Sequence, residues 1–219
     1  MTYLAWATFY EGNSDREYFD VLLPRVMEDF LARQGVGVHT VPTTPAIELG
    51  VQGREIAKVA KEACDGRDAF HILFVHADTG GRALEDAMVT RSVAYREAAF
   101  AECALPRNRT VVIAPRREME AWAISEREAV AAALGFRGDL AILRLPQTPQ
   151  AAEAEQNPKA VLIRAVEAAR GHRRSARKQP PFAAIAQRQD LARLRLSTSF
   201  LAFENELREA LVSLGCIPH

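Results

Sequence analysis

The chain has little of several things, and each shortage removes a class of protein. It has three cysteines, Cys64, Cys103 and Cys216. They are odd in number and form no Cys-x-x-Cys pair, which argues against a disulfide framework or a zinc site. They read as reduced thiols of a cytoplasmic protein. No run approaches the ~18 apolar residues of a membrane span. The N-terminus lacks the basic region, apolar stretch and cleavage site of a signal peptide. Net charge is missing too, since 28 Lys and Arg balance 28 Asp and Glu. The whole molecule is therefore not an electrostatic magnet for nucleic acid, and a polyanion would have to meet local patches or metal ions. No Gly-x-x-x-x-Gly-Lys-[Ser/Thr] loop is present, which disfavours an autonomous P-loop ATPase. No Gly-x-Ser-x-Gly nucleophile elbow occurs either. The letters Asp78-Thr79-Gly80 occur once, in an α/β pattern, and do not make an aspartic protease.

What is there is an alternation of strand and helix signals. Tyr3 to Tyr10 is apolar and aromatic, which suits a buried strand. Ser14-Asp15-Arg16-Glu17 has capping-box spelling. Tyr18, Phe19, Leu22, Leu23, Val26, Met27, Phe30 and Leu31 then recur at helical spacing, up to Gly35. Pro24 implies a kink or a break. Val36 to Val41 reads as a second strand and Gly53 to Cys64 as a second helix, with Ile56, Val59, Ala60 and Ala63 on one face. Phe70 to Val75 is a third strand, Leu84 to Cys103 mostly helix, and Thr110 to Ala114 a fourth strand. This order predicts an α/β fold: a mainly parallel four-stranded sheet with helices on both faces. The pattern changes after Pro115. Helices are expected over Arg117 to Leu134, from Lys159 to about Arg170, over Phe182 to Leu194 and over Ser199 to Leu214. Leu143 to Glu155 reads as a loop. Residues 1–115 thus form the α/β core, and 116–219 a helical extension packed on it.

The chemistry concentrates at strand ends, where open α/β sheets carry their sites. Thr8-Phe9-Tyr10-Glu11-Gly12-Asn13-Ser14-Asp15 runs from a strand through one carboxylate and a glycine turn to a second carboxylate on a helix. The third strand closes in His76-Ala77-Asp78. Glu120 follows the fourth strand, in Pro115-Arg116-Arg117-Glu118-Met119-Glu120-Ala121-Trp122. Hard oxygen ligands of this kind suit Mg²⁺ or Mn²⁺, so Glu11, Asp15, Asp78 and Glu120 are candidate metal ligands. Each also has a plainer reading. Asp15 is favoured in a first helical turn by the helix dipole, Asp78 can simply open a turn, and helix starts attract Glu. His76 is a possible ligand or base, or a hydrogen-bonded structural residue. Lys159, opening a helix after Asn157-Pro158, could reach a phosphate or lie on the surface. Arg173, Arg174, Arg177 and Lys178 form a basic loop that could neutralise a nucleic-acid backbone or remain solvated.

The ordered set Glu11-Gly12, Asp15 and His76-x-Asp78 resembles the TOPRIM fold of topoisomerases, primases and overcoming-lysogenization-defect (OLD) nucleases. The spelling Glu-Gly-x-Ser-Asp is closest to the OLD-like branch. Pro115 to Trp122, Asn157-Pro158-Lys159, and Asp190-Leu191 with Leu194, Ser199 and Phe200 resemble an uncharacterised bacterial TOPRIM-like family. Its members often sit beside SMC- or ABC-like ATPases in presumed phage-defence operons. The resemblance implies a Mg²⁺-dependent nuclease or nuclease subunit acting on DNA or RNA, with a separate ATPase partner. It implies general acid/base or metal-binding work for Glu11, metal binding by Asp15 and Asp78, a fourth acid at Glu120, and a phosphate contact at Lys159. One departure stands out: the usual motif after the third strand is Asp-x-Asp, and His76 takes its first place. A non-catalytic module docking nucleic acid or an ATPase is the second expectation, and a nucleotidyl-transfer or primase-related enzyme the third.

Overall fold

The computed structural model of the protein describes residues 2–76, 92–170 and 179–218. The chain opens in Thr2–Tyr3 (β1) and Trp6–Phe9 (β2), then enters a long helix, Asn13–Gln34 (α1). Two short strands follow, His39–Thr40 (β3) and Ile47–Leu49 (β4). Ile56–Asp65 (α2), Ile72–His76 (β5), Val93–Cys103 (α3) and Thr110–Ile113 (β6) complete the α/β part. Four strands pair in parallel in the order β4-β2-β5-β6.

The two faces of the sheet bury different helices, as the period-2 alternation of a strand requires. Trp6, Ile72, Phe74, Val111 and Ile113 face α1 and the C-terminal helices. Ala7, Phe9, Leu73 and Val75 share a second cluster with Val59, Ala60 and Ala63 of α2 and Ala99 of α3. Residues on both sides of Pro115 belong to the first cluster, where Trp122 meets Phe19, Phe200 and Phe203 edge-on or tilted. The expected core positions Met119, Trp122, Ala123 and Val130 are all fully buried.

Several expectations need correction. The second strand of the main sheet is β4, not Val36 to Val41. That earlier stretch holds β3, which pairs with β1 in a separate two-stranded sheet, and its Val36 and Val38 are exposed. Helix α1 begins at Asn13 after Gly12, so Ser14 is inside the first turn and no side chain caps the start. Pro24 lies within α1 without ending it. Ile56 is partly exposed, although Val59, Ala60 and Ala63 are buried as expected.

Beyond β6 the helices are shorter than periodicity suggested. The stretch from Arg117 to Leu134 divides into Glu120–Ala123 (α4) and Arg127–Ala133 (α5). The supposed loop contains Pro149–Ala154 (α6), started by Thr148, whose hydroxyl accepts from the Ala151 N–H. Proline at a first helical position is favourable, because its missing N–H would have had no intrahelical partner. Pro158–Arg170 (α7) follows, with the Asn157 side chain accepting from the Ala160 N–H. The segment Phe182 to Leu194 breaks into Phe182–Arg188 (α8) and Leu191–Leu194 (α9), the second capped by Asp190. Thr198–Ser213 (α10) closes the fold.

The cysteines give the sharpest correction. Cys64 of α2 and Cys103 of α3 form a disulfide, with their Cα atoms 5.8 Å apart. They are 39 residues apart in sequence, so no local spacing announces the pair. The packing of α2 against α3 brings them together. Cys216 is free and buried. Among the described residues, no helix is long and apolar enough to cross a membrane.

Candidate functional site

Because every strand of the main sheet runs in the same direction, their C-terminal ends share one edge. The register sets Phe9 beside Leu49 and Val75, and His76 beside Ile113. The chain leaves β2 for one neighbour, β4, and later crosses to the other, β5. The helix after β2 packs on one face, and α2 and α3 pack on the other. A crevice must therefore open beyond β2 and β5, at the topological switch point.

A cleft of about 430 Å³ occupies this edge. Glu11, Asp15, Glu118 and Glu120 supply its acids, and Arg54 and Lys159 its cations. Gly12, Ser14 and Tyr95 complete the lining. Each group arrives by a separate local device. Glu11 follows β2 directly, and Asp15 comes from the first turn of α1. Glu118 and Glu120 are turned back by Arg117, which adopts φ 73° and lets the Glu118 N–H bond to the Arg116 carbonyl. A non-glycine residue there costs about 1–3 kcal/mol, and such strain gathers at functional sites. Lys159 is exposed in the first turn of α7.

Asp15 and Glu120 are each only 6% exposed, deep for ionisable side chains. His76 is wholly buried behind them. Its Nδ1–H donates to the Ile113 carbonyl at 2.9 Å, which turns Nε2 toward Asp15 Oδ1 at 3.7 Å. His76 also packs on the Phe19 ring, with centroids 4.8 Å apart. It therefore serves the structural role and also touches an acid of the cleft. Glu118 is the informative addition: its Oε2 is buried and accepts no hydrogen bond. A carboxylate oxygen left so is costly unless a cation or donor meets it.

Four residues singled out in the sequence, Glu11, Asp15, Glu120 and Lys159, thus line one cleft. Asp78 and the basic residues Arg173, Arg174, Arg177 and Lys178 lie outside the described residues. Glu118, Arg54 and Tyr95 were not singled out. Glu118 could have been found by the strand-end logic that gave Glu120, two positions on. Among the described residues, no three acidic, histidine or cysteine side chains form a group that could hold a metal ion. The cleft's donors are nevertheless of the type a hard divalent cation takes: four carboxylates line it, and one buried oxygen lacks a donor.

Beside the cleft, Tyr10 donates to Asp20 Oδ1 at 3.0 Å. Burial, with the Asp20 charge, holds the Tyr10 phenol well above its ordinary pKa. Burial also raises the Asp20 carboxyl, and the nearby Glu48 adds to this against the Tyr10 hydrogen bond.

These features define a class: a parallel α/β protein with an acid-lined cleft at its switch point. The family model described as "Domain of unknown function (DUF4276)" matches residues 10–208, and the chain belongs to that family. That match runs from the end of β2 into α10, so it takes in every residue named above as lining the cleft. No curated protein and no solved structure matches the chain.

Proposed function

We propose that the protein is a TOPRIM-like, divalent-metal-dependent nuclease, or the nuclease subunit of a phage-defence system working with a separate SMC- or ABC-like ATPase. One observation carries this reading. Glu11 and Asp15 at the β2–α1 junction, Glu120 after β6 and Lys159 at the start of α7 come from three separate segments, yet they line one cleft beyond the sheet's C-terminal edge. Chance surface acids have no reason to gather there. Glu11, Asp15, Glu118 and Glu120 would hold Mg²⁺ or Mn²⁺. When bound, such an ion supplies charge stabilisation to a phosphodiester and lowers the pKa of water. Glu11 would act in general acid/base work, and Lys159 would offset charge developing on the phosphate. His76 sits behind Asp15, with Nε2 3.7 Å from Asp15 Oδ1, although it stands where an acid is usual in the TOPRIM pattern.

The test is Mn²⁺- or Mg²⁺-dependent cleavage of single- and double-stranded DNA and RNA by the wild type, Glu11→Gln and Asp15→Asn. Loss of at least about 100-fold in rate is expected for Glu11→Gln, as for removal of a group that stabilises transition-state charge, with thermal melting unchanged. Undiminished cleavage by both variants would sink the reading.

A further inference from the structure

A second, smaller pocket of about 110 Å³ opens beside the cleft. Tyr10, Asn13, Arg16, Glu48 and Val51 are among its walls. Gly12 and Arg54 belong to both cavities, so they form the boundary between them. Arg16 and Glu48 form an ion pair on the wall.

Arg54 is the unusual residue. It is exposed on the loop between β4 and α2, and among the described residues its guanidinium has no ion-pair or hydrogen-bond partner. Carboxylates line the cleft beside it, so an unpaired arginine there suggests another anion as its partner. The loop is built to hold it. Gly50 adopts φ 84° and Gly53 φ 144°, conformations that side-chain-bearing residues rarely take. A Cβ on Gly50 would come within 2.8 Å of the Phe9 ring. The Glu62 carboxylate accepts from the Gly50 N–H at 2.7 Å and the Gln52 N–H at 2.9 Å. The Tyr95 hydroxyl donates to the Arg54 carbonyl at 2.9 Å, and its ring packs on Phe9 with centroids 4.6 Å apart. The backbone of Arg54 is thus fastened while its side chain is left open.

We infer that Arg54 binds a backbone phosphate of a single-stranded nucleic acid, and that the smaller pocket receives the base of the neighbouring unpaired nucleotide. This rests on the nucleic-acid reading of the large cleft and extends it to substrate class. A guanidinium suits a phosphate by paired N–H donors. The pocket offers both a carboxylate and a guanidinium, Glu48 and Arg16, for the edge of a base.

The experiment is fluorescence anisotropy in EDTA, which prevents cleavage, with short labelled single-stranded DNA and RNA and the matching duplexes. Arg54→Ala should weaken single-strand binding about tenfold, and Arg54→Lys less, because lysine keeps the charge without the fork. Asn13→Trp, which fills the smaller pocket without changing charge, should weaken single strands and leave duplex binding unchanged. The DNA and RNA arms report which backbone is preferred. Arg54→Ala binding within about twofold of wild type overturns the inference, as does a duplex bound as tightly as the single strand. Wild-type cleavage with metal alongside unaffected Arg54→Ala binding removes this inference alone. Arg54-dependent binding with no cleavage in Mn²⁺ supports it and removes the nuclease reading instead.

Discussion

The start of α10 and the strand-end cleft both bury carboxylates, and they treat them oppositely. At the start of α10, Glu153 of α6 is 4% exposed and fully committed. It accepts from the Ser197 hydroxyl at 2.7 Å, from the Ser199 hydroxyl, and from the N–H groups of Thr198 and Ser199 at 3.0 and 2.8 Å. It caps a helix in trans, neutralising N–H groups that the helix itself cannot pair. Ser199 also accepts from the Trp122 indole at 2.8 Å, so the cap is tied to the aromatic core. At the strand ends, Glu118 Oε2 is buried with no hydrogen bond at all, beside three further acids. Burial of an acid is therefore not a mark of function. What distinguishes the cleft is a carboxylate oxygen that the protein leaves unsatisfied.

The largest expected effect breaks the first half of this contrast. Glu153→Ala leaves two hydroxyls and two helix-start N–H groups without their acceptor, and should cost about 2–4 kcal/mol. Urea unfolding measures it. If the cost were below about 0.5 kcal/mol, the size of an ordinary surface change, Glu153 would not be the structural acid described here. On the proposed nuclease reading, cleavage rates normalised to folded protein should be unaffected.

Acid titration sharpens the contrast with a smaller effect. Burial alone would raise the Glu153 carboxyl, but hydrogen bonds from Ser197, Ser199 and Thr198 outweigh it and hold the pKa below the usual value. Its stabilising contribution is present above the unfolded pKa of about 4.3 and is lost as pH falls through the lower folded value. Asp20, beside the cleft, is raised by burial and the Glu48 charge. The folded state therefore takes up its proton first, and stability from this group rises as pH falls from above about 3.9. Urea midpoints followed from pH 6 to about 3 should flatten in Glu153→Gln and steepen in Asp20→Asn. Equal slopes in the two variants would contradict the assigned signs.

The same contrast explains what the sequence could and could not disclose. β2 and β5 were legible because a fully buried central strand is a short continuous apolar run. Glu11 and Asp15 were legible with them, since position relative to a strand end is local information. β4 was not: it is three residues, Ile47-Glu48-Leu49, and mostly half-buried. The valines of Val36 to Val41 outweighed it by β-propensity, although two of them face solvent. α6 was hidden by Pro149, whose place at a first helical position is visible only once the helix is known. Glu153 therefore seemed to lie in a loop, and its partners are more than 40 residues away. The Cys64–Cys103 pair and the open guanidinium of Arg54 escaped for that reason too. Both depend on how α2, α3 and the preceding loop pack, not on neighbouring residues.

The smallest effect tests the other half of the contrast. Glu118→Gln keeps the shape of the side chain and removes its charge. Glu153 would lose acceptor capacity from such a change, but Glu118 Oε2 accepts nothing. Without metal, the stability of Glu118→Gln should be unchanged or higher by up to about 1 kcal/mol, because a buried unsatisfied acceptor is relieved of its charge. With Mn²⁺ the order should reverse, since an ion that binds only the folded state stabilises it in proportion to its affinity. Melting temperatures of the wild type and the variant, in EDTA and in Mn²⁺, separate the two states. If Glu118→Gln melted well below wild type in EDTA and gained equally from Mn²⁺, Glu118 would be a structural acid like Glu153. A gain confined to the wild type would make Glu118 an acid that contacts the metal, which is what the proposed function requires of it.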